Sequence, residues 1–346
     1  MLILFPNFHL RSMMRILLLA DFRLPVTRYG GTERVVWSLA RELDRMGHCV
    51  TLMARPGTVC PFARVVAIDP SRRLTEQLPR DVDVAHFHLG RGVFSPRELA
   101  EAGVPIVTTV HGNETGEIGE NAVFVSRDHA RRHGAAAFVH NGLDWDDYGR
   151  PDLSAAADRG YFHFLAKAAW RVKNVQGAID LVRGLPGERL CVLGGTRLNF
   201  KMGFRLTLSP RVRFFGMADQ EVKSAVMRRS RGLLFPVRWH EPFGLAMIES
   251  LWFGAPVFGT PYGSLPELIP SDVGFLSTSA AELRGAMAEW AGYSAARCHE
   301  YARDCFNARV MAERYVACYE RVLAGRTLNP GRSAAHDTAC RLPRLA

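Results

Sequence analysis

Two carboxylates stand at a spacing that suits a ligand. Glu241 and Glu249 are separated by seven residues, with Pro242, Phe243 and Gly244 just inside the first. The preceding Gly232–Val237 is short and apolar and reads as a buried parallel strand. A helix is expected to begin near Pro242, where a missing N–H costs nothing. Glu241 then sits in the loop above the strand, and Glu249 lies two turns down the helix. The amides of Phe243, Gly244 and Leu245 point out of the helix N-terminus, which is a ready anion site. Glu241 at the mouth can face the hydroxyls of one polyol, and the deeper Glu249 can accept from a second, such as ribose. These groups suit an anionic, hydroxyl-rich ligand. On the glutamates alone a solvated helix with an acidic first turn is the favoured reading, so the rest of the chain has to decide.

The elements that would hold this segment repeat along the sequence. Short apolar runs alternate with helix-length segments, the pattern of βαβ units and a parallel sheet. In the first half, strands are expected at Ile16–Ala20, Cys49–Ala54, Val84–His88, Ile106–Val110, Ala122–Val125 and Ala137–His140. Gly30, Gly31, Thr32 and Glu33 follow the first of them. Val35, Val36, Leu39, Ala40 and Leu43 then recur at helical spacing, with Thr32 as the expected N-cap. In the second half, strands are expected at Phe162–Leu165, Leu190–Leu193, Val212–Phe215, Gly232–Phe235, Pro256–Thr260 and Val273–Phe275. Helices are expected at Asn174–Val182, Asp219–Arg229, Phe243–Trp252, Ala280–Gly292, Ser294–Asn307 and Ala308–Leu323.

The fold class is therefore α/β, with two Rossmann-like, doubly wound domains facing each other across a cleft at their strand ends. Residues 1–12 read as an extension ahead of a start at Met13 or Met14. Residues 13–150 form the first domain, 151–160 a small and polar linker, and 161–307 the second domain. Residues 308–325 are expected to be a helix returning toward the first domain, and 326–346 a disordered tail.

Composition excludes several classes. The 346 residues are 48% hydrophobic and 23% charged, as in soluble globular proteins. No apolar stretch approaches the roughly 20 residues of a membrane span. Seven cysteines without paired or metal-like spacing suggest a reducing cytoplasm. The net charge of +10 is spread along the chain, without the basic runs and interleaved aromatics of a nucleic-acid module. It suits anionic substrates, or peripheral contact with the anionic inner face of a membrane. Arginine supplies nearly all of this charge; the only lysines are Lys167, Lys173, Lys201 and Lys223.

With both halves laid out, the chain resembles the retaining glycosyltransferases of GT-B fold, family 4 (glycosyl transferases group 1). The resemblance runs from about Arg15 to Leu323. Its most specific part is Glu241 to Glu249, followed by Phe253-Gly254-Ala255-Pro256-Val257 and Gly263-Ser264-Leu265-Pro266-Glu267. Gly30-Gly31-Thr32-Glu33 resembles the family's glycine loop, where a phosphate approaches a helix N-terminus. Phe164 to Asn174 resembles its diphosphate-clamping segment, with Lys167 where arginine is usual, Ala166 for glycine, and a spacing one residue longer. Lys173 is the second cation of that clamp, and Arg171 rivals Lys167 as the first. Asn141-Gly142-Leu143-Asp144 resembles a structural turn that closes the first domain. The resemblance implies an acceptor-binding domain first and a nucleotide-sugar-binding domain second. It implies transfer from a UDP-, GDP- or ADP-sugar, with no cofactor, to an acceptor that is a glycan, lipid or small molecule.

Histidines complete the candidate set. His111 ends an expected strand at the cleft and, by the resemblance, touches the donor sugar. It is taken as catalytic together with Glu241. Gly30, Gly31, Lys167, Arg171, Lys173, Phe243, Gly244, Leu245 and Glu249 are taken as donor-binding. His86 and His88 share a strand face with His111 nearby, but no acidic or cysteine ligand follows, so no metal is expected. Asp81-Val82-Asp83 reads as a turn. Two other functions stay open: a nucleotide-sugar epimerase on the same fold, and a non-catalytic sugar-nucleotide-binding protein.

Overall fold

Strand β1 (Arg15–Ala20) is apolar and buried from Ile16 to Ala20, which places it inside a sheet covered on both faces. In this computed structural model, residues 13–26, 30–89, 98, 101, 103–116, 118–154, 159–200, 202–332 and 342–346 are described. The expected extension at 1–12 lies outside them. Beside β1 run β2 (Cys49–Ala54), β3 (Arg64–Ala67), β4 (Val84–Leu89), β5 (Ile106–Val110) and β6 (Ala122–Phe124). All pair in parallel in the order β3-β2-β1-β4-β5-β6.

The second half repeats this plan. It contains β7 (Tyr161–Leu165), β8 (Leu190–Leu193), β11 (Val212–Phe214), β12 (Ser230–Phe235), β13 (Val257–Gly259) and β14 (Gly274–Leu276). They lie in the order β11-β8-β7-β12-β13-β14, again parallel. Between β8 and β11 sits a small antiparallel hairpin of β9 (Leu198–Asn199) and β10 (Arg205–Leu206). Each sheet changes winding direction at its middle, between β1 and β4 and between β7 and β12. Doubly wound folds bind ligands outside the strand ends at such points.

The helix Ala308–Leu323 belongs to the first domain by packing. Met311, Ala312, Tyr315, Val316 and Tyr319 join Val36, Leu39 and Leu43 of the helix Gly31–Arg45 in one buried core. A buried polar chain fixes it: His86 is bonded to Tyr319 Oη and Thr109 Oγ1, both at 2.7 Å, and Thr109 to Tyr315 Oη at 2.8 Å. Each polar atom is satisfied, as burial demands, and His86 is thereby a packing residue. At the other end of this core the expected turn holds. Asp144 pairs with Arg41 and Arg45, and Trp145 stacks on Trp252 of the second domain at 4.6 Å.

Several expectations change. Ala137–His140 is no strand but makes an isolated bridge to β6 at Phe138, because Asn329 accepts the amides of Ala136 and Ala137 instead. The edge strand β3 and the hairpin β9–β10 were not expected. Gly30, not Thr32, caps the first helix. The segment after residue 325 is not uniformly loose: Leu328 and Asn329 are buried, and residues 342–346 bond to Arg238, Thr278 and Ala280. Among the described residues, no helix is long and apolar enough to cross a membrane.

Candidate active site between the two domains

Two helices begin at the cleft and point their first turns at each other. In the first domain, Gly30 caps the helix Gly31–Arg45 without a side-chain hydrogen bond. In the second, the helix Leu245–Trp252 starts at Leu245, three residues later than the Pro242 start expected from sequence. Gly244 caps it in the left-handed region, at φ 86°, where only glycine sits without strain. Its open first-turn amides are those of Leu245 and Ala246, with Phe243 and Gly244 in the turn before. A Cβ on Gly31 would come within 3.3 Å of Leu245 Cδ1, so the two N-termini are nearly in contact. Both present positive dipole ends to one cavity of about 360 Å³.

That cavity gathers most of the expected residues. Gly30, Gly31, His111, Lys167, Lys173, Glu241, Phe243, Gly244, Leu245 and Glu249 all line it. Lys223, which sequence reasoning left without a role, lines it too. Three of the chain's four lysines therefore meet in one place. Lysine rarity was the available signal. Arg171 is not brought to the cleft: it donates to the Met202 carbonyl at 2.5 Å and lines a different cavity beneath the hairpin. Of the two rivals for the first cation, Lys167 is the one at the cleft, its ammonium 5.1 Å from the centre of the Trp170 ring.

Each glutamate is embedded in donors. Glu241 is buried, and its Oε2 accepts from Lys173 Nζ at 2.6 Å and Trp239 Nε1 at 2.7 Å. Lys173 also lies 4.6 Å from the Trp239 ring centre. The backbone of Glu241 is braced by the Gly263 turn, bridging Gly263 and accepting from Ser264 N at 2.9 Å. Gly263 sits at φ 68°, and a Cβ there would fall 2.3 Å from Glu241 N. Only glycine permits that approach. This gives the Gly-Ser-Leu-Pro-Glu segment a physical purpose.

Glu249 is fully buried and bonded by Arg34, by Tyr148 Oη at 3.1 Å, and by Lys223 Nζ at 3.4 Å. Burial pushes its pKa up, but the charges of Arg34 and Lys223 and the Arg34 and Tyr148 hydrogen bonds outweigh it and hold it at about 2. Lys223 is pulled below its ordinary value by burial, in spite of Glu249. Arg34 and Tyr148 were not expected; they come from the first-domain helix and the turn after Asp144, and nothing in local sequence points them at Glu249.

His111 is partly buried at the cleft, with its Nε2 3.0 Å from His88 Nδ1. Burial lowers its pKa to about 4, so it is a neutral hydrogen-bonding group near pH 7. His88 is likewise held neutral by burial. Among the described residues, no three side chains are grouped to hold a metal ion.

Two family descriptions fit the chain in tandem. Glycosyltransferase Family 4 matches residues 29–145, and Glycosyl transferases group 1 matches residues 150–303. The chain belongs to the glycosyltransferases of group 1, with GT-B fold. The second match contains both glutamates and all four lysines, and the first contains Gly30, Gly31, Arg34 and His111.

Solved structures of similar fold cover about nine tenths of this glycosyltransferase. AviGT4, a glycosyltransferase involved in avilamycin A biosynthesis, is 24% identical, with a TM-score of 0.73 over 91% of this chain and 99% of its own. Sucrose-phosphate synthase from Thermosynechococcus elongatus is 18% identical, with a TM-score of 0.70 over 90% and 100%. HepE from Anabaena, solved with UDP and glucose, is 15% identical, with a TM-score of 0.63 over 89% and 99%. No curated protein matches the sequence.

The domains of this glycosyltransferase are clasped at the cleft. Glu267, from the second domain, accepts the amides of Arg127 and Asp128, each at 3.0 Å, and pairs with His140 at 2.6 Å. It thus caps the helix Arg127–Arg132 of the first domain, at its positive end. Asn113 donates to the His240 carbonyl at 2.9 Å and Ser126 to the Pro242 carbonyl at 2.7 Å. First-domain residues therefore hold the loop that carries Glu241.

Proposed function

We propose that this glycosyltransferase moves a hexosyl group from a nucleoside diphosphate sugar to an acceptor hydroxyl, with retention of configuration and without a metal ion. The observation that carries the reading is the convergence of Lys167, Lys173, Lys223, two helix N-termini and both glutamates on one cavity. The HepE structure with UDP and glucose supports a nucleotide donor.

The bond from the anomeric carbon to the diphosphate oxygen breaks, and negative charge grows on the leaving group. Lys167, Lys173 and the amides of Leu245 and Ala246 are placed to neutralise it, the work a divalent ion does elsewhere. Glu241 accepts from donor-sugar hydroxyls. Its charge is already shared by Lys173 and Trp239, which makes it a poor nucleophile and a good anchor. Glu249 accepts from the ribose hydroxyls, exchanging part of its bonding to Arg34. His111, neutral, hydrogen-bonds the sugar across the cleft. The acceptor oxygen attacks the face the diphosphate leaves, and its proton passes to the departing phosphate oxygen.

Of the loops expected to read the acceptor, Phe22–Tyr29, Gly90–Pro96 and Gly112–Glu120, the second lies outside the described residues, as do residues 27–29 and 117 of the other two. A thermal-shift panel of UDP-, GDP- and ADP-sugars, followed by transfer assays in excess EDTA, tests the proposal. One donor class should stabilise the protein, and transfer should survive chelation. Stabilisation by none of them, or activity restored only by added Mg²⁺ or Mn²⁺, would overturn it. Turnover without any acceptor would identify an epimerase instead.

A further inference from the structure

The hairpin β9–β10 is turned inside out. Asn199 lies opposite Arg205, and Leu198 opposite Leu206. Opposed residues of an antiparallel ribbon share a face, and side chains alternate along each strand. Leu198, Phe200, Phe204 and Leu206 therefore form one face, and Asn199 and Arg205 the other. The Phe200 and Phe204 rings lie 5.7 Å apart. This apolar face is the outward one: Phe200 is 71% exposed, Phe204 70%, Leu206 50% and Leu198 45%. Met202 at the turn and Leu208 just beyond are exposed as well. A soluble surface seldom leaves so contiguous an apolar patch without a use.

Behind the hairpin lies a cavity of about 490 Å³. Arg171, Arg205, Arg238, Arg284 and Arg344 line it. Among the described residues Asp180 is its one carboxylate, and Asp180 accepts from Gln176 rather than from an arginine. Arg205 is partly buried against Phe214 and bonds only to Thr207 and Thr196 among the described residues. The cavity is therefore cationic and concave, and it opens beside an apolar ridge.

We propose that the hairpin and this cavity form a docking surface for an anionic bilayer, the apolar ridge entering the interface and the arginines taking lipid phosphates. Either feature alone binds membranes weakly, and the combination is what peripheral anchoring needs. The net charge of +10 adds long-range attraction to an anionic surface. It also argues against a second copy as occupant, because a two-fold contact would bring two such arginine clusters together. Trp170 lies in the wall of both this cavity and the cleft between the domains, so the docked enzyme would work at the bilayer surface.

Co-sedimentation of the full chain with vesicles tests the proposal, using phosphatidylcholine alone or with about one third phosphatidylglycerol. Binding to the anionic vesicles should exceed binding to the neutral ones by about tenfold or more and weaken as salt rises. The double variant Phe200→Ser/Phe204→Ser and the double variant Arg284→Glu/Arg344→Glu should each lower it by about tenfold, with thermal unfolding and nucleotide binding unchanged. Equal binding of the wild type and the phenylalanine variant would overturn the proposal. So would saturation of the arginine cavity by inorganic pyrophosphate in a protein that ignores vesicles. A concentration-dependent dimer, abolished by the phenylalanine substitutions and indifferent to vesicles, would assign the ridge to self-association instead.

Discussion

Replacing Arg34 with alanine should cost about as much stability as Glu249 gains from being ionised. Arg34 reaches across from the first domain and grips both oxygens of Glu249, a carboxylate with 1% side-chain exposure. Glu249 is held at about 2, against an ordinary value near 4.3, and each unit of pKa is worth about 1.4 kcal/mol. The depression therefore contributes about 3 kcal/mol. Burial is the largest influence on Glu249 and works upward; Arg34 is the largest influence downward. Without Arg34, only Lys223 and Tyr148 are left to oppose burial, and most of the contribution is lost. The sign follows from linkage. A depressed carboxyl stabilises the fold above its unfolded pKa, and that stability is lost as pH falls toward its folded pKa. The gap between wild type and Arg34→Ala should approach about 3 kcal/mol at pH 7 and be about half that at pH 3. Urea unfolding followed by tryptophan fluorescence can measure it, since Trp145 stacks on Trp252 close to Tyr148 and Glu249. Arg34→Lys should recover only part, because lysine lacks the fork that bonds both oxygens. A gap below about 0.5 kcal/mol at pH 7, or one unchanged at pH 3, would refute the reasoning.

Two further substitutions act on Glu241 alone. Gly263→Ala places a Cβ 2.3 Å from Glu241 N at a positive φ. It should cost about 1–3 kcal/mol of strain and lower kcat at least about tenfold by displacing Glu241, with nucleotide affinity by calorimetry little changed; an unaltered kcat would sink the bracing role. Lys173→Met removes the cation bonded to Glu241 and should lower kcat/KM by about 10²–10³. If KM rises alone, Lys173 serves only binding.

Much of the fold was legible because the strands that position the site are the most buried. Cys49–Ala54, Ile106–Val110 and Leu190–Leu193 have the expected bounds, since a parallel strand covered on both faces is a mostly apolar run. β3 escaped because it is an edge strand, half-exposed and only four residues long. The hairpin escaped because its alternation places the apolar residues outward, the reverse of the rule that makes strands readable. The composite of Glu241, Glu249 and the Gly263 turn was legible as a family resemblance, and geometry supplies its reason in the contact between Gly263 and Glu241. Arg34 was not legible. It lies 215 residues from its partner, and helical periodicity says which face of a helix is apolar, not which arginine on the other face will cross a cleft. Arg171 and Lys167 were indistinguishable by spacing; the carbonyl of Met202, in a hairpin the sequence did not reveal, separates them.

The charges of the cleft are paired with one another, and this constrains how a donor can enter. Lys173 is bonded to Glu241, and Arg34 and Lys223 to Glu249. A diphosphate sugar brings anionic oxygens for the cations and hydroxyl donors for the carboxylates, so it can replace both sides of each pair without leaving a buried charge alone. A bare diphosphate offers no hydroxyl for Glu241, and a free sugar offers no anion for Lys173. Either one strands a partner, at the cost that attends an unpaired buried ion. The pairing thus selects for the conjugate over its fragments. Because Arg34 lies on the first domain and Glu249 on the second, the exchange at the proposed ribose end would loosen one of the ties between the domains, leaving those of Glu267, Asn113, Ser126 and Trp145 in place. On the proposed ribose role of Glu249, donor entry and domain opening are coupled through that carboxylate, and removal of Arg34 should weaken the coupling.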